Sequence, residues 1–135
     1  MEPNTHLALS ARLCGAPQAL FAGGAEVELE TSDEMRADER GLVHGGFIFG
    51  LADYAAMLAI NEPNVVLGSA ETRFLAPVVV GQRLRATARV LTVEGKRQRV
   101  EVHVARAEER VFEGTFVCFV PSQHVLDGVR KAGAA

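Results

Sequence analysis

The chain has 135 residues, 48% of them apolar and 23% charged, with a formal net charge of −3. That length suits one domain, 1–135, burying about two-thirds of its unfolded surface, and the acidic balance argues against a nucleic-acid binder. The longest apolar run, Phe47 to Ile60, falls short of the roughly 20 residues a membrane-crossing helix needs, and Cys14 and Cys118 lack the spacing of a zinc site or a disulfide framework.

The opening MEPNTHLALSARL has no basic segment followed by an apolar one. No signal peptide is therefore expected, and a reducing cytoplasm is the natural compartment. Residues 4–13 read as a short helix capped by Asn4 or Thr5 and ended by Gly15. Ala25 to Glu30 alternates as AEVELE, a strand with Val27 and Leu29 on one face. Thr31 to Gly41 is polar and reads as loop. Gly45 to Asn61 is the long helix, stopped by Asn61 and Pro63.

Four strands are expected after it: Val65 to Ala76, Gln82 to Glu94, Arg97 to Ala107 and Arg110 to Val120. Period-two alternation puts Leu84, Ala86, Ala88 and Val90 on one face, and sets Val100, Val102 and Val104 against Arg99, Glu101 and His103. Glu94-Gly95-Lys96 and Glu108-Glu109 supply hairpin turns. Lys131 to Ala135 reads as a frayed tail. The order predicts an α+β fold in which a four-strand antiparallel meander, with one earlier strand, wraps a helix buried nearly all round.

Asp53 is the one carboxylate in GGFIFGLADYAAMLAI. A buried carboxylate without partners costs several kcal/mol, an order-of-magnitude figure. His44-Gly45-Gly46 stands where the helix begins. Helix N-terminal N–H groups lack internal partners and sit at the positive end of the dipole, so they suit an anion or a developing oxyanion. Asp53 lies eight residues beyond Gly45, about 12 Å along a helix axis, so the two cannot serve one atom from a single helix. Read singly, the Gly pair is a tight turn, His44 a cap or a buried ring, and Asp53 a partner for Arg73 or Arg85.

Together, Gly41-Leu42-Val43-His44-Gly45-Gly46-Phe47-Ile48-Phe49-Gly50-Leu51-Ala52-Asp53 resembles the motif of hotdog-fold thioesterases of the phenylacetate-pathway (PaaI-like) type: His-Gly-Gly, six residues, then Asp. Thr72 to Pro77, Gly81 and Leu84-Arg85-Ala86 resemble the family's strand pattern, and the likeness covers about residues 25 to 120. It implies a long helix wrapped by an antiparallel sheet. It also implies Asp53 as base or nucleophile on a thioester carbonyl, and the Gly45 N–H as oxyanion donor with Gly46 and His44 beside it. By the same likeness the site is shared between two subunits of a homodimer, and many members pair dimers into tetramers. Two positions depart from the pattern. Asp38 stands where relatives often carry Asn, and Met57 stands where some carry a hydroxyl. Ser69 lies a residue or two out of register with a water-orienting Ser or Thr.

The expected activity is hydrolysis of an aromatic or medium-chain acyl-CoA to free acid and CoA. No cofactor or metal beyond the CoA of the substrate is expected, nor any nucleic-acid or membrane partner. Phe47, Leu51, Tyr54 and Phe74 suit an apolar acyl group, and Arg83, Lys96 and Arg97 are candidates for the CoA phosphates. A second reading is an acyl-CoA-sensing protein of the same fold without catalysis; such regulators carry a DNA-binding segment, and none is expected before residue 25. A hydratase of related fold ranks lower, because no His follows Asp53 until His103.

Overall fold

In the computed structural model, which describes residues 1–128, the elements in chain order are α1 (Ala11–Cys14), β1 (Ala16–Phe21), β2 (Gly24–Glu30), a 3-10 turn (Asp33–Met35), α2 (Gly45–Ile60), β3 (Val66–Phe74), β4 (Arg83–Glu94), β5 (Arg97–Arg106), β6 (Glu109–Phe119) and a second 3-10 turn (Val125–Gly128). The expected frayed tail, 131–135, lies outside the described residues. The strands form one antiparallel sheet in the order β1-β2-β4-β5-β6-β3, curved around α2. This is the hotdog arrangement, an α+β fold.

Alternation fixes which face of the sheet meets the helix. Leu84, Ala86 and Ala88 on β4, Val100, Val102 and Val104 on β5, and Phe112, Phe116 and Cys118 on β6 are buried against it. Arg85, Arg89, Arg99 and Glu101 face out to water. Small residues on both sides, Ala52, Ala55, Ala56 and Ala59 on α2 against Ala86 and Ala88, let the backbones approach closely. Asn61 ends the helix in the left-handed region at φ 56°, a conformation Asn tolerates.

Four features differ from the sequence reading. The helix expected over residues 4–13 contracts to the single turn α1. Asn61 holds Asn4 N and Glu2 O extended, Thr5 is buried, and His6 takes φ 55°. β1 is an unexpected strand; as an edge strand it tolerates Pro17. The four later strands are not one meander. β3 pairs with β6 rather than β4, because residues 75–82 bond to Gly41, Val43 and Thr31 instead of turning back as a hairpin. Lastly, α2 is not covered all round. Gly46 is exposed, and Gly45, Gly50 and Asp53 are half-buried, since this chain's sheet stops at the β3 edge.

Phe116, fully buried with its ring centroid 5.5 Å from Phe49 and 6.5 Å from Phe112, ties the helix to the sheet. Phe116→Ala is expected to lower the unfolding free energy by about 3–5 kcal/mol in urea titration.

Candidate active site

The start of α2 is pinned from outside the helix. Val43 N–H donates to Val78 O at 2.8 Å and His44 N–H to Met35 O at 2.9 Å. His44 is the N-cap, and its Nδ1 accepts the Gly46 N–H at 2.7 Å. That bond requires Nδ1 unprotonated, so a neutral ring carries its proton on Nε2. It also occupies Gly46, and among the described residues the Gly45 N–H has no protein partner. A Cβ on Gly46 would lie 2.8 Å from His44 Nδ1, so the glycine makes the cap possible. A Cβ on Gly45 would lie 3.1 Å from the Phe74 ring.

Beside Gly45 opens a cleft of about 300 Å³ lined only by apolar residues, among them Leu42, Ile48, Phe74, Pro77 and Val78. Its floor is held in place: Arg106 donates to Pro77 O at 2.7 Å and to Gln82 Oε1 at 2.9 Å, and Gln82 Oε1 accepts from Val79 N. The Thr31 hydroxyl, buried, donates to Gln82 O at 2.7 Å. Asp38 braces the preceding loop, its Oδ1 accepting from Arg40 N and Leu42 N.

Asp53 sits midway along α2 at the end of the partly open stripe Gly46–Gly50–Asp53; a Cβ on Gly50 would meet nothing within 4 Å. Its Oδ1 is buried and finds no hydrogen-bond partner among the described residues, and desolvation pushes the carboxyl up from 3.8 to about 6. The arginines that were alternative partners are engaged elsewhere. Arg85 pairs with Glu26 and Glu28 on the outer sheet face, and Arg73 stands 3.9 Å from Glu113. Burial, with a smaller contribution from Asp53, raises the Cys14 thiol and pushes that of Cys118 up to about 12.

The remaining expected site residues scatter. Phe74 lines the cleft; the Phe47 ring stands nearly perpendicular to that of His44, with centroids 6.2 Å apart, and neither Phe47 nor Tyr54 lines the cleft. Burial and then Cys14 raise the Tyr54 phenol. Ser69 follows a bulge and pairs with Val117, which puts it on the outer face, away from the helix. The neighbouring inward hydroxyl is Thr72, opposite Gly114, a residue the sequence reading passed over because the bulge shifts the register. Arg83 begins β4, where it pairs with Glu30, while Lys96 and Arg97 lie past the other end. At about 3.4 Å per residue those cations are on the order of 40 Å apart along the hairpin, so no single phosphate group collects all three. Among the described residues, no three His, Cys, Asp or Glu side chains gather as a metal site, and no helix is long and apolar enough to cross a membrane.

A model of the thioesterase superfamily matches residues 40–113. An uncharacterized protein from Pyrococcus horikoshii superimposes with a TM-score of 0.93 at 59% identity, covering 94% of this chain and 98% of that one. A mutant of the phenylacetic acid degradation protein PaaI from Thermus thermophilus gives 0.74 at 28% identity, covering 81% and 95%. Methylthioribose-1-phosphate isomerase from Aquifex aeolicus is 50% identical over 116 residues, 86% of this chain but 25% of that protein. The transcription factor FapR from Caldanaerobacter subterraneus is 32% identical over 88 residues, 65% of this chain and 44% of that protein. The chain thus spans between a quarter and half the length of these two curated relatives.

The unpartnered carboxyl predicts a measurable cost. A folded-state value raised from 3.8 to about 6 means the native protein holds this proton more tightly than the unfolded chain. The associated stability is full below the unfolded value and is lost as pH rises through about 6. Asp53→Asn should therefore raise the unfolding free energy at pH 7 by about 1–3 kcal/mol, with the gain shrinking toward pH 4; denaturation of both proteins at the two pH values checks it. Gly46→Ala should lose about 0.5–2 kcal/mol as His44 is pushed off its cap, read in the same assay.

Proposed function

Because the chain belongs to the thioesterase superfamily, we propose that it is an acyl-CoA thioesterase whose working carboxylate is Asp53. The observation that carries this reading is the buried, unpartnered Asp53 Oδ1 on a helix face this chain leaves partly open. A carboxyl with no structural partner is costly to keep, and one raised to about 6 is a competent base at neutral pH.

In the proposed reaction Asp53 takes a proton from water as the water oxygen bonds to the thioester carbonyl carbon. The Gly45 N–H and the helix dipole hold the charge that develops on the carbonyl oxygen. Collapse breaks the carbon–sulfur bond, and the proton passes from Asp53 to the departing CoA thiolate. Attack by Asp53 itself would instead form a mixed anhydride that water then opens. Either route balances without a metal or redox group. Thr72, facing inward near the β3 edge, is a candidate to orient the water.

The separation of about 12 Å along α2 requires the oxyanion donor to come from elsewhere. The nine-residue β3 is an edge strand without proline, suited to pair with a second copy. We therefore read the active unit as a homodimer in which Asp53 works opposite Gly45 of the partner subunit, with tetramers as pairs of such dimers. Two unpaired thiols, Cys14 and Cys118, suit a reducing cytoplasm.

The likeness to FapR favours a second reading, an acyl-CoA-responsive regulator that binds without hydrolysis. Thiol release across a panel of acyl-CoAs separates the two. The enzyme reading predicts turnover that Asp53→Asn lowers by at least about a thousandfold, rising with pH through about 6 as the carboxyl ionises. Tight acyl-CoA binding without turnover in either protein would establish the regulator instead.

A further inference from the structure

We propose that the hollow at the far end of α2, where the N-terminal segment meets the turn after β6, binds a small carboxylic acid with a short apolar body, its carboxylate held between His6 and His124. This site is separate from the one the thioester reading uses. It lies at the opposite end of α2 from Gly45, and that helix of 16 residues is about 24 Å long.

Three stretches distant in sequence form this hollow of about 300 Å³: residues 5–6, the α2–β3 connection at 63–66, and residues 124–125. Asn61 draws in the first of them by bonding Asn4 N and Glu2 O. Asn64 Nδ2 donates to Pro121 O and so ties in the chain after β6. Pro63, Val65, Val66 and Val125 give the hollow apolar walls. Among the described residues that line it, the two histidines are the only groups able to carry a charge near neutral pH. Glu62 and Asp127 flank it in sequence but do not line it.

Both rings offer donors. His124 Nδ1 accepts the Leu126 N–H at 3.0 Å, which places the proton of the neutral ring on Nε2. Thr5 is buried, and its hydroxyl, 2.8 Å from His6 Nδ1, has no other partner among the described residues. Donating to Nδ1 satisfies that hydroxyl proton and puts the His6 ring proton on Nε2 as well. Neither Nε2 has a protein partner among the described residues. His6 keeps this place at φ 55°, a left-handed backbone that residues with a side chain rarely adopt. Two N–H donors above apolar walls suit an acceptor group joined to a hydrocarbon. A metal ion fits poorly, because ligation through Nε2 would send the His124 proton to Nδ1, against the Leu126 N–H. A dianionic phosphate fits poorly too, since no Lys or Arg among the described residues lines the hollow. About 300 Å³ holds on the order of ten non-hydrogen groups, at roughly 30 Å³ each in a condensed phase. Burial lowers the His6 imidazole from its ordinary 6.5, so the ring is mostly neutral at pH 7 and a bound carboxylate draws a proton to it. Affinity therefore rises as pH falls.

Ring-proton NMR tests this with hexanoate, phenylacetate, phenylacetamide, inorganic phosphate and zinc chloride. The chain has four histidines, and His44 and His103 report on other places. Hexanoate and phenylacetate should shift His6 and His124 together along one saturating curve, with Kd on the order of 1 mM at pH 7, and about 3- to 10-fold tighter at pH 5.5. Phenylacetamide, lacking the charge, should bind at least about tenfold more weakly. His124→Ala should weaken the response of His6 by a similar factor. So should His6→Asn for His124, since Asn tolerates the left-handed backbone. The titration of the unaltered protein decides the matter even if a variant folds poorly. No saturable shift of His6 and His124 by either acid would overturn the inference. So would an equal response to phosphate or phenylacetamide, saturation by micromolar zinc, or folded variants that bind the acids like the unaltered protein.

Discussion

The structure turns on one carboxyl that the fold declines to satisfy. Asp53 has a buried oxygen with no partner, in a helix otherwise built from glycine, alanine and large apolar residues. Water is the usual source of compensation for such a group, and the sheet wrapped around α2 removes most of it. The penalty is offset by the packing around it: Ala52, Ala55 and Ala56 on the helix and Ala86 and Ala88 on β4 are fully buried, and Phe116 packs against Phe49. The same burial that costs stability makes the group basic enough to accept a proton near neutral pH.

A second arrangement fixes the helix start, two turns away. Met35 O, Val78 O and the His44 ring each take one backbone N–H, and the one they omit is Gly45. Arg106, Gln82 and Thr31 hold the 75–82 connection that forms the neighbouring wall. The donor and the apolar cleft are thus set by the same loop contacts. Since acid and donor lie on one straight helix, rigidity within a chain keeps them apart. In the proposed homodimer a second copy of the chain closes that gap.

Much of this was legible in the sequence. Period-two alternation in β4 and β5 marks their inward faces, Asn61 and Pro63 end α2, and the His-Gly-Gly to Asp spacing points to the helix that carries the candidate site. What escaped was set by contacts distant in sequence. The Asn61 side chain, some 57 residues from Asn4, pulls the N-terminus out of helix. Pairing of β3 with β6 depends on loop hydrogen bonds that no periodicity encodes. Ser69 and Thr72 exchange faces through a bulge between Leu67 and Ser69, a one-residue slip invisible in composition. The expectation of a helix covered on every side failed because the sheet ends at β3 and leaves Gly46, Gly50 and Asp53 partly open.

Asp53 held unpaired and desolvated should titrate far from an ordinary carboxylate, and carbon NMR titration of its side-chain carboxyl in the protein in solution measures this. The expected midpoint is near 6, well above the ordinary 3.8. A midpoint at or below the ordinary carboxylate value would mean that the group is paired or solvated, and Asp53 could not then be the desolvated base described above.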